Sequence, residues 1–240
     1  ALPLLYRARR AVIIGDPQQL RHISTLPRAR DRRLQLQAGL QEDWISWSYS
    51  VRSLYDLAQS LTGPGDIVML RDHHRSHPDI IDFSNKEFYE GRLRVATRLD
   101  RLELLDPQGP CVRWNHVSGR AIRPPEGGLF NREEAEAVVR ELRRLVGERA
   151  YPGSLGVVTP FRAQANLIRE LVVRDAPLER ELIRRGFACD TAHRFQGDER
   201  DLMLFSPVLS EGGIDRALSF LANQPHLFNV AITRARAGLL

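Results

Sequence analysis

The sequence predicts an α/β fold in which a parallel β-sheet is covered by helices on both faces. Short apolar runs typical of buried strands alternate with longer segments whose apolar residues recur at helical spacing. This alternation indicates βαβ units, which build doubly wound parallel sheets. Polar clusters follow several of the apolar runs, and α/β proteins keep their ligand sites at such strand ends.

The first third of the chain is predicted to contain two strands and one helix. Residues 11–14 form an apolar run that ends in a Gly-Asp-Pro turn, and residues 67–70 form a second run of this kind. Between them, residues 53–61 carry apolar residues at helical spacing. Residues 21–50 are interpreted as an arginine-rich connection with some helix.

The remainder of the chain supplies most of the predicted sheet. Asn131 is expected to cap the longest helix, and Glu134 is expected to complete a capping box. Residues 189–199 are interpreted as a loop that leads into a buried strand. The predicted helices cover 79–89, 131–146, a segment around 167–172 and 229–236, and the predicted strands cover 155–158, 202–208 and the residues from 238 onward, with a weak strand pattern at 112–114.

The composition indicates a basic globular protein. Of 240 residues, 42% are hydrophobic and 27% are charged, which is enough to bury a core. The net charge is +5, and Lys86 is the only lysine, so nearly all positive charge is arginine. A basic balance fits a polyanionic partner, although arginine bias also arises from coding preference. No membrane span or signal peptide is visible, and the distant Cys111 and Cys189 indicate reduced thiols, so we expect a cytoplasmic location and no membrane partner.

The sequence contains no P-loop. That motif ends in lysine followed by serine or threonine, because the ammonium group and backbone N–H groups hold the phosphates. Lys86 instead stands between Asn85 and Glu87. We therefore expect this chain not to bind and hydrolyse ATP by itself.

The polar segment at residues 72–79 admits two interpretations. His73 and His77 are four residues apart and could ligate a metal ion from one helix face, which would suggest a metal-dependent nuclease. Pro78 disfavours a helix at His77, and the alternative is a strand-to-helix turn with capping roles.

Five motifs in one order along the chain resemble those of superfamily 1 helicases, in the Upf1-like group and especially its bacterial members. They are Gly15-Asp16-Pro17-Gln18-Gln19-Leu20 (motif III), His74-Arg75-Ser76-His77-Pro78 with residues 88–93 (motif IV), Val158-Thr159-Pro160-Phe161 with Gln164, residues 191–199 (motif V) and residues 229–236 (motif VI). The resemblance implies a RecA-like, P-loop NTPase-type parallel sheet, here that of the second RecA-like domain.

The resemblance also implies a domain organisation. Residues 1–25 would be the final strand and motif III of the first RecA-like domain, residues 26–65 a connecting segment, and residues 66–240 a truncated second RecA-like domain. The chain would then be a fragment of an ATP-dependent helicase, inactive alone, and the P-loop would lie in a preceding segment.

Roles around ATP and Mg²⁺ follow from the same resemblance. The implied catalytic residues are Gln19, Arg75 and Arg234, and the implied nucleotide-binding residues are Asp16, Gly197 and Glu199. Gln19 would sense the γ-phosphate or the attacking water, and the two arginines would reach that phosphate as arginine fingers. The first RecA-like domain would hold most of the ATP and Mg²⁺.

The expected macromolecular partner is a single strand of nucleic acid, DNA rather than RNA. Thr159, Thr191 and His193 stand at strand ends, where hydroxyl groups could hold a phosphate backbone. Phe161 could stack a base or pack in the core, and the residues leave both interpretations open.

One segment departs from the family pattern. His226-Leu227-Phe228 replaces two basic residues that usually precede the asparagine of motif VI. The alternative function is therefore a catalytically inactive, helicase-derived nucleic-acid-binding or regulatory module.

Overall fold

The computed structural model describes residues 2–20, 26–40, 48, 50–125, 127–195, 197–210 and 215–240. The chain divides into two compact units, Ala1–Leu70 and Arg71–Leu240. In the N-terminal unit the helices are α1 (Leu2–Arg7), α2 (Arg28–Gln37) and α3 (Leu54–Leu61), followed by a 3₁₀ turn at Pro64–Asp66.

Both strands predicted in the N-terminal unit are wrong. Residues 11–14 and 67–70 have no strand structure, and Val12 is 89% exposed while Val68 is 82% exposed. A strand is stable when neighbouring strands bond its backbone, and the described part of this unit contains helices and turns alone. The described residues of 1–25 thus contain no strand, while the assignment of this segment to the end of a first RecA-like domain stays a prediction.

The predicted helix over 53–61 is confirmed as α3. Ser53 caps it: its hydroxyl accepts a hydrogen bond from the Asp56 backbone N–H, and the Asp56 carboxylate accepts one from the Ser53 N–H. This reciprocal capping box satisfies two backbone donors that a helix start leaves unpaired. Gly15 lies so close to Tyr55 of α3 that an added Cβ would stand 2.5 Å from its ring, so the turn needs a glycine there.

The second unit contains the sheet. Its elements are β1 (Asp72–His73), α4 (Pro78–Tyr89), β2 (Arg94–Val95), a 3₁₀ turn (Leu99–Arg101), β3 (Ala121–Ile122), β4 (Phe130–Asn131), α5 (Arg132–Gly147), β5 (Leu155–Thr159), α6 (Arg162–Val173), α7 (Ala176–Arg184), β6 (Ala188–Thr191), β7 (Arg200–Phe205), α8 (Asp215–Ala222), α9 (Pro225–Ile232) and β8 (Ala235–Leu239).

Four of these strands form one parallel sheet in the order β6-β5-β7-β8. Every residue of β5 is buried. Because successive side chains of a strand point to opposite faces, this burial shows that both faces of the sheet are covered. The predicted α/β class with a helix-flanked parallel sheet is confirmed. Short pairs lie apart from this sheet, β1 with β2 in parallel and β3 with β4 antiparallel.

Beyond β8 the sheet is extended by the segment at residues 111–113. Leu239 donates its N–H to the Cys111 carbonyl at 2.8 Å, and Arg113 donates its N–H to the Leu239 carbonyl at 2.9 Å. The weak strand pattern at 112–114 is thus confirmed as a single bridge at Val112, whereas Trp114 is 79% exposed.

The core lies between the sheet and the helices α5, α6 and α7. The predicted stripe of α5 is confirmed, since Leu142 and Leu145 are fully buried. The rest of the cluster comes from the following residues: Ala135, Val138, Val139, Tyr151, Leu155, Val157, Ala165, Ile168, Val172, Leu178, Leu182, Cys189, Leu202 and Leu204.

The C-terminal part of the chain differs from the prediction in three places. Residues 188–191 are strand β6, so the predicted loop begins only after Thr191. Helix α8 lies where no helix was predicted. The predicted helix over 229–236 ends at Ile232, because Ala235 already pairs with Arg200 of β7 in the sheet. None of the helices in the described ranges is long and apolar enough to cross a membrane.

Candidate functional site

The loop after β1 is attached to the chain that enters β8. Ser76 donates its hydroxyl to the Ala235 carbonyl at 2.7 Å, and His77 donates its N–H to the Arg236 carbonyl at 2.7 Å. Arg75 adds a hydrogen bond from Nη1 to the Thr233 carbonyl at 3.3 Å. Two segments about 160 residues apart in sequence are therefore held side by side.

This attachment brings together four charged side chains, Arg75, Glu199, Arg234 and Arg236, which we call the arginine cluster. Arg75 Nε lies 2.6 Å from Glu199 Oε2, and Arg236 Nε lies 3.6 Å from Glu199 Oε1. The sequence-based assignment places Arg75, Glu199 and Arg234 around one nucleotide, so it requires these three side chains to lie close together, as they do here.

Arg234 is the buried member of the cluster, with 2% of its surface exposed. Its guanidinium donates to backbone carbonyls, from Nε to Val230 at 3.2 Å and from Nη1 to Asp198 at 3.3 Å. Within the described ranges, no carboxylate lies within ion-pair distance of it. Burial, followed by the nearby charge of Arg75, lowers the pKa of Arg234 to about 10, so the side chain stays cationic at neutral pH.

A buried cation of this kind is costly unless an anion compensates it. Arg75 is paired with Glu199 and Arg236 with Asp201, whereas Arg234 has no carboxylate partner among the described residues. A planar guanidinium matches the oxygens of a phosphate group. The residues of the cluster therefore fit the phosphates of a nucleotide.

The arginine cluster does not offer a site for Mg²⁺, because its nearby carboxylates are already paired with arginines. Glu199 contacts Arg75, and Asp201 accepts a hydrogen bond from Arg236 Nη1 at 3.0 Å. Among the described residues, the grouping that could hold a metal ion is His77, Asp79 and Cys111. Its thiol and imidazole are not the oxygen ligands that Mg²⁺ requires.

His73 does not join His77 in a metal site. Its Nε2 accepts the Ser76 backbone N–H at 2.9 Å, and His77 instead caps α4, where its Nδ1 accepts the Asp79 N–H at 3.3 Å. The capping interpretation of this segment is confirmed.

Asp16 and Gln19 form a turn in the N-terminal unit. Gln19 donates from Nε2 to Asp16 Oδ2 at 2.9 Å, and Asp16 Oδ1 accepts the Gln18 backbone N–H at 2.9 Å. This is the Asx-type turn expected of a Gly-Asp-Pro sequence. It stays a prediction that Asp16 and Gln19 bind the same nucleotide as the arginine cluster.

Gly197 lies in the connection between β6 and β7, just before Glu199. Its φ of +90° is in the left-handed region that favours glycine. This conformation lets the chain turn after the buried Phe195 and bring Glu199 to the start of β7.

The predicted nucleic-acid-binding residues lie at the carboxyl edge of β5 and β6. Thr159 and Thr191 are register partners at the last pair of these strands, and both are buried. His193 follows in the next turn and is half-buried, which lowers its pKa below the usual range.

Phe161 is part of a packed cluster. It is 9% exposed, contacts buried Val208, and its ring centroid lies 5.3 Å from that of Phe220. Of the two interpretations left open by the sequence, core packing describes this side chain, while base stacking by Phe161 stays a prediction. Phe220 is the more accessible ring, with 39% of its surface exposed.

The departure at residues 226–228 has a packing explanation. Leu227 is 1% exposed, and the ring of Phe228 lies edge-on between Phe83 of α4 and Phe205 of β7, at centroid distances of 5.8 and 5.4 Å. Phe228 thus joins α9 to α4 and the sheet, and a charged side chain in place of the buried Leu227 would be costly.

Sequence reasoning missed Arg236 and its partner Asp201. Asp201 is 9% exposed and accepts hydrogen bonds from the Ser154 N–H and hydroxyl as well as from Arg236. An aspartate directly before the apolar run of β7 could have indicated a buried polar contact, because a carboxylate at the start of a buried strand needs partners.

The parallel sheet and the site at its edge define a RecA-like α/β domain. A family model described as an AAA domain matches residues 50–240. The chain therefore belongs to this AAA domain family.

Curated relatives agree with this assignment over the full length of the chain. The chain is 28% identical to helicase sen1 of Schizosaccharomyces pombe, 27% identical to the regulator of nonsense transcripts 1 homolog of Neurospora crassa, and 25% identical to ATP-dependent helicase upf1 of Schizosaccharomyces pombe. All of this chain is covered in each comparison, but it spans only 13%, 20% and 24% of those proteins. The resemblance to the Upf1-like group of superfamily 1 helicases is confirmed. These relatives are fungal and give no support to a bacterial origin, which stays a prediction, as does the cytoplasmic location.

Proposed function

We propose that this chain is the second motor domain of an ATP-dependent helicase or translocase, acting opposite a domain that holds the P-loop. The observation that carries this proposal is Arg234, a buried guanidinium paired with backbone carbonyls and set beside Arg75. A nucleotide phosphate would supply the compensating anion.

In this proposal the domain contributes positioned positive charge to phosphoryl transfer. Arg75 and Arg234 would stabilise charge on the phosphoryl oxygens, and an arginine finger contributes about 10³–10⁵ in rate. Arg75 would exchange its 2.6 Å contact with Glu199 for the phosphate, and Glu199 would then be free to meet the nucleotide ribose. ATP and Mg²⁺ would be bound chiefly by the P-loop domain.

The proposed partner is a single strand of nucleic acid along the carboxyl edge of β5 and β6. Thr159, Thr191 and His193 converge there, and Arg194 in the same turn is exposed. Backbone contacts of this kind are independent of base sequence and weaken as salt rises. The expectation from the sequence is DNA, whereas one relative is a regulator of nonsense transcripts 1 homolog, so the test includes both single-stranded DNA and single-stranded RNA.

The experiment compares Arg75→Lys and Arg234→Lys in the native gene product. Each variant keeps the charge but loses the planar fork, so we expect nucleic-acid-stimulated ATP turnover to fall at least about 100-fold with little change in nucleic-acid affinity. Arg184→Lys is the matched control, because Arg184 is an exposed arginine of α7 paired with Glu181. Turnover is measured with single-stranded DNA and RNA, and the isolated 240-residue chain should show none.

Turnover in both variants equal to that of Arg184→Lys would contradict the assignment of the arginines. A native gene product that binds nucleic acid but hydrolyses no ATP would instead support the regulatory-module alternative.

A further inference from the structure

The segment from β1 to α4 contains a histidine whose side chain bonds the protein backbone inside a turn. His73 Nε2 accepts the backbone N–H of Ser76 at 2.9 Å, three residues further on. Arg75 lies within the turn that this hydrogen bond closes.

The backbone of the same residue is tied to the neighbouring strand. The His73 carbonyl accepts the Ala96 N–H at 2.8 Å, and Thr97 Oγ1 donates to the Ser76 carbonyl at 2.8 Å. Ser76 is fully buried, and its hydroxyl is bonded to the Ala235 carbonyl. Both ends of the turn are therefore fixed. His73 is bonded to Ala96, which follows β2, and Ser76 is bonded to Thr97 and to Ala235 of β8.

We propose that His73 is a positioning residue that holds the backbone turn bearing Arg75 in the conformation from which Arg75 reaches the nucleotide phosphate. The catalytic consequence of this inference rests on the proposed function. The hydrogen bond between His73 and Ser76 does not depend on that function. Arg75 contributes to the turn through its Nη1 bond to Thr233, and its Nε is left to face Glu199 or a phosphate.

The protonation state of the imidazole suits this role. An imidazole accepts a hydrogen bond at Nε2 only when that nitrogen carries no proton. Burial, and then the positive charges of Arg75 and His74, lower the pKa of His73 to about 4, while Glu199 opposes them. His73 is therefore neutral at physiological pH and remains an acceptor there.

The first test measures hydrogen exchange of the Ser76 amide in the 240-residue chain. Loss of the acceptor in His73→Ala should speed this exchange by roughly 5- to 10-fold, the value of one ordinary hydrogen bond. His73→Gln restores a side-chain acceptor of similar reach and should recover most of the protection. His116→Ala is the control, since His116 is an exposed histidine outside the turn. Unchanged Ser76 exchange in a folded His73→Ala chain would overturn the proposal.

The second test is kinetic and uses the native gene product. His73→Ala should lower kcat by roughly 10- to 100-fold with the KM for ATP nearly unchanged, and His73→Gln should recover most of it. Because His73 acts through Arg75, the double variant His73→Ala/Arg75→Ala should be no slower than Arg75→Ala alone.

The two proposals fail differently in this experiment. If Arg75→Ala is slow but His73→Ala turns over like the wild type, the inference about His73 is wrong and the proposed function stands. If Arg75→Ala itself turns over like the wild type, the proposed function is wrong, and the positioning role falls with it. A double variant much slower than Arg75→Ala would mean that His73 acts elsewhere, which also overturns the inference.

Discussion

At the scale of single residues, the most informative side chains are polar groups inside the fold. Glu134 was expected to complete a capping box at the start of α5, and half of that prediction is wrong. Asn131 does cap the helix, since its Oδ1 accepts the Glu134 N–H at 3.0 Å. The Glu134 carboxylate instead accepts hydrogen bonds from the Ser206 hydroxyl at 2.5 Å and the Val208 N–H at 3.0 Å.

This carboxylate holds a strained residue. Val208 has φ of +62°, a conformation that costs a β-branched residue about 1–3 kcal/mol. The buried carboxylate fixes it by binding its N–H, and burial raises the pKa of Glu134 despite the two hydrogen bonds.

The raised pKa predicts how stability varies with pH. The folded state binds a proton on Glu134 more tightly than the unfolded state does, so this group's contribution favours folding at low pH and is lost as pH rises from 4.5 through the folded pKa. Glu134→Gln keeps an acceptor oxygen without the charge, so its free energy of unfolding should fall less over that range than that of the wild type. Urea unfolding at a series of pH values measures this.

Glu133→Gln is the matched control for that prediction, because Glu133 is the exposed neighbour of Glu134 in α5. An identical pH dependence of the wild type and Glu134→Gln would show that the carboxylate is not perturbed.

At the scale of elements, α5 is the helix that sequence reasoning described best. Its apolar residues recur at helical spacing, and the same residues are buried against the sheet. The predicted strands of the N-terminal unit failed although their residues are as apolar as those of β5. Periodicity reports which residues can be buried, but a strand also needs partners for its backbone.

The burial of α5 predicts the effect of a cavity. Leu142→Ala removes a fully buried side chain and should lower the free energy of unfolding by about 2–5 kcal/mol. Arg140→Ala, on the exposed side of the same helix, should change it by less than about 0.5 kcal/mol. Denaturant unfolding of both variants measures the difference, and equal effects would contradict the packing of this helix.

At the scale of the whole molecule, the chain divides into two units, and the four-stranded parallel sheet lies in Arg71–Leu240. We predict that a protein of residues 71–240 folds cooperatively without the N-terminal unit, with a Tm within about 4 °C of the 240-residue chain. Thermal unfolding followed by circular dichroism measures this. A protein of residues 1–150, which lacks β5 to β8, is the control and should show no cooperative transition. Absence of a transition in residues 71–240 would show that the division into units does not describe folding.

The sequence by itself determined the α/β class, the stripe of α5, the strand before residue 159 and the motifs that relate the chain to helicases. These properties depend on which residues are apolar and at what spacing, so they are visible locally. The resemblance to helicases already implied that Arg75, Glu199 and Arg234 meet. The tertiary structure alone decided that Arg236 and Asp201 support their cluster, that Phe228 packs between α4 and the sheet, and that Glu134 bonds Val208 rather than its own helix start. Each of these contacts joins residues far apart in the chain, and only the register of the parallel strands and the packing of helices on them decide which distant side chains meet.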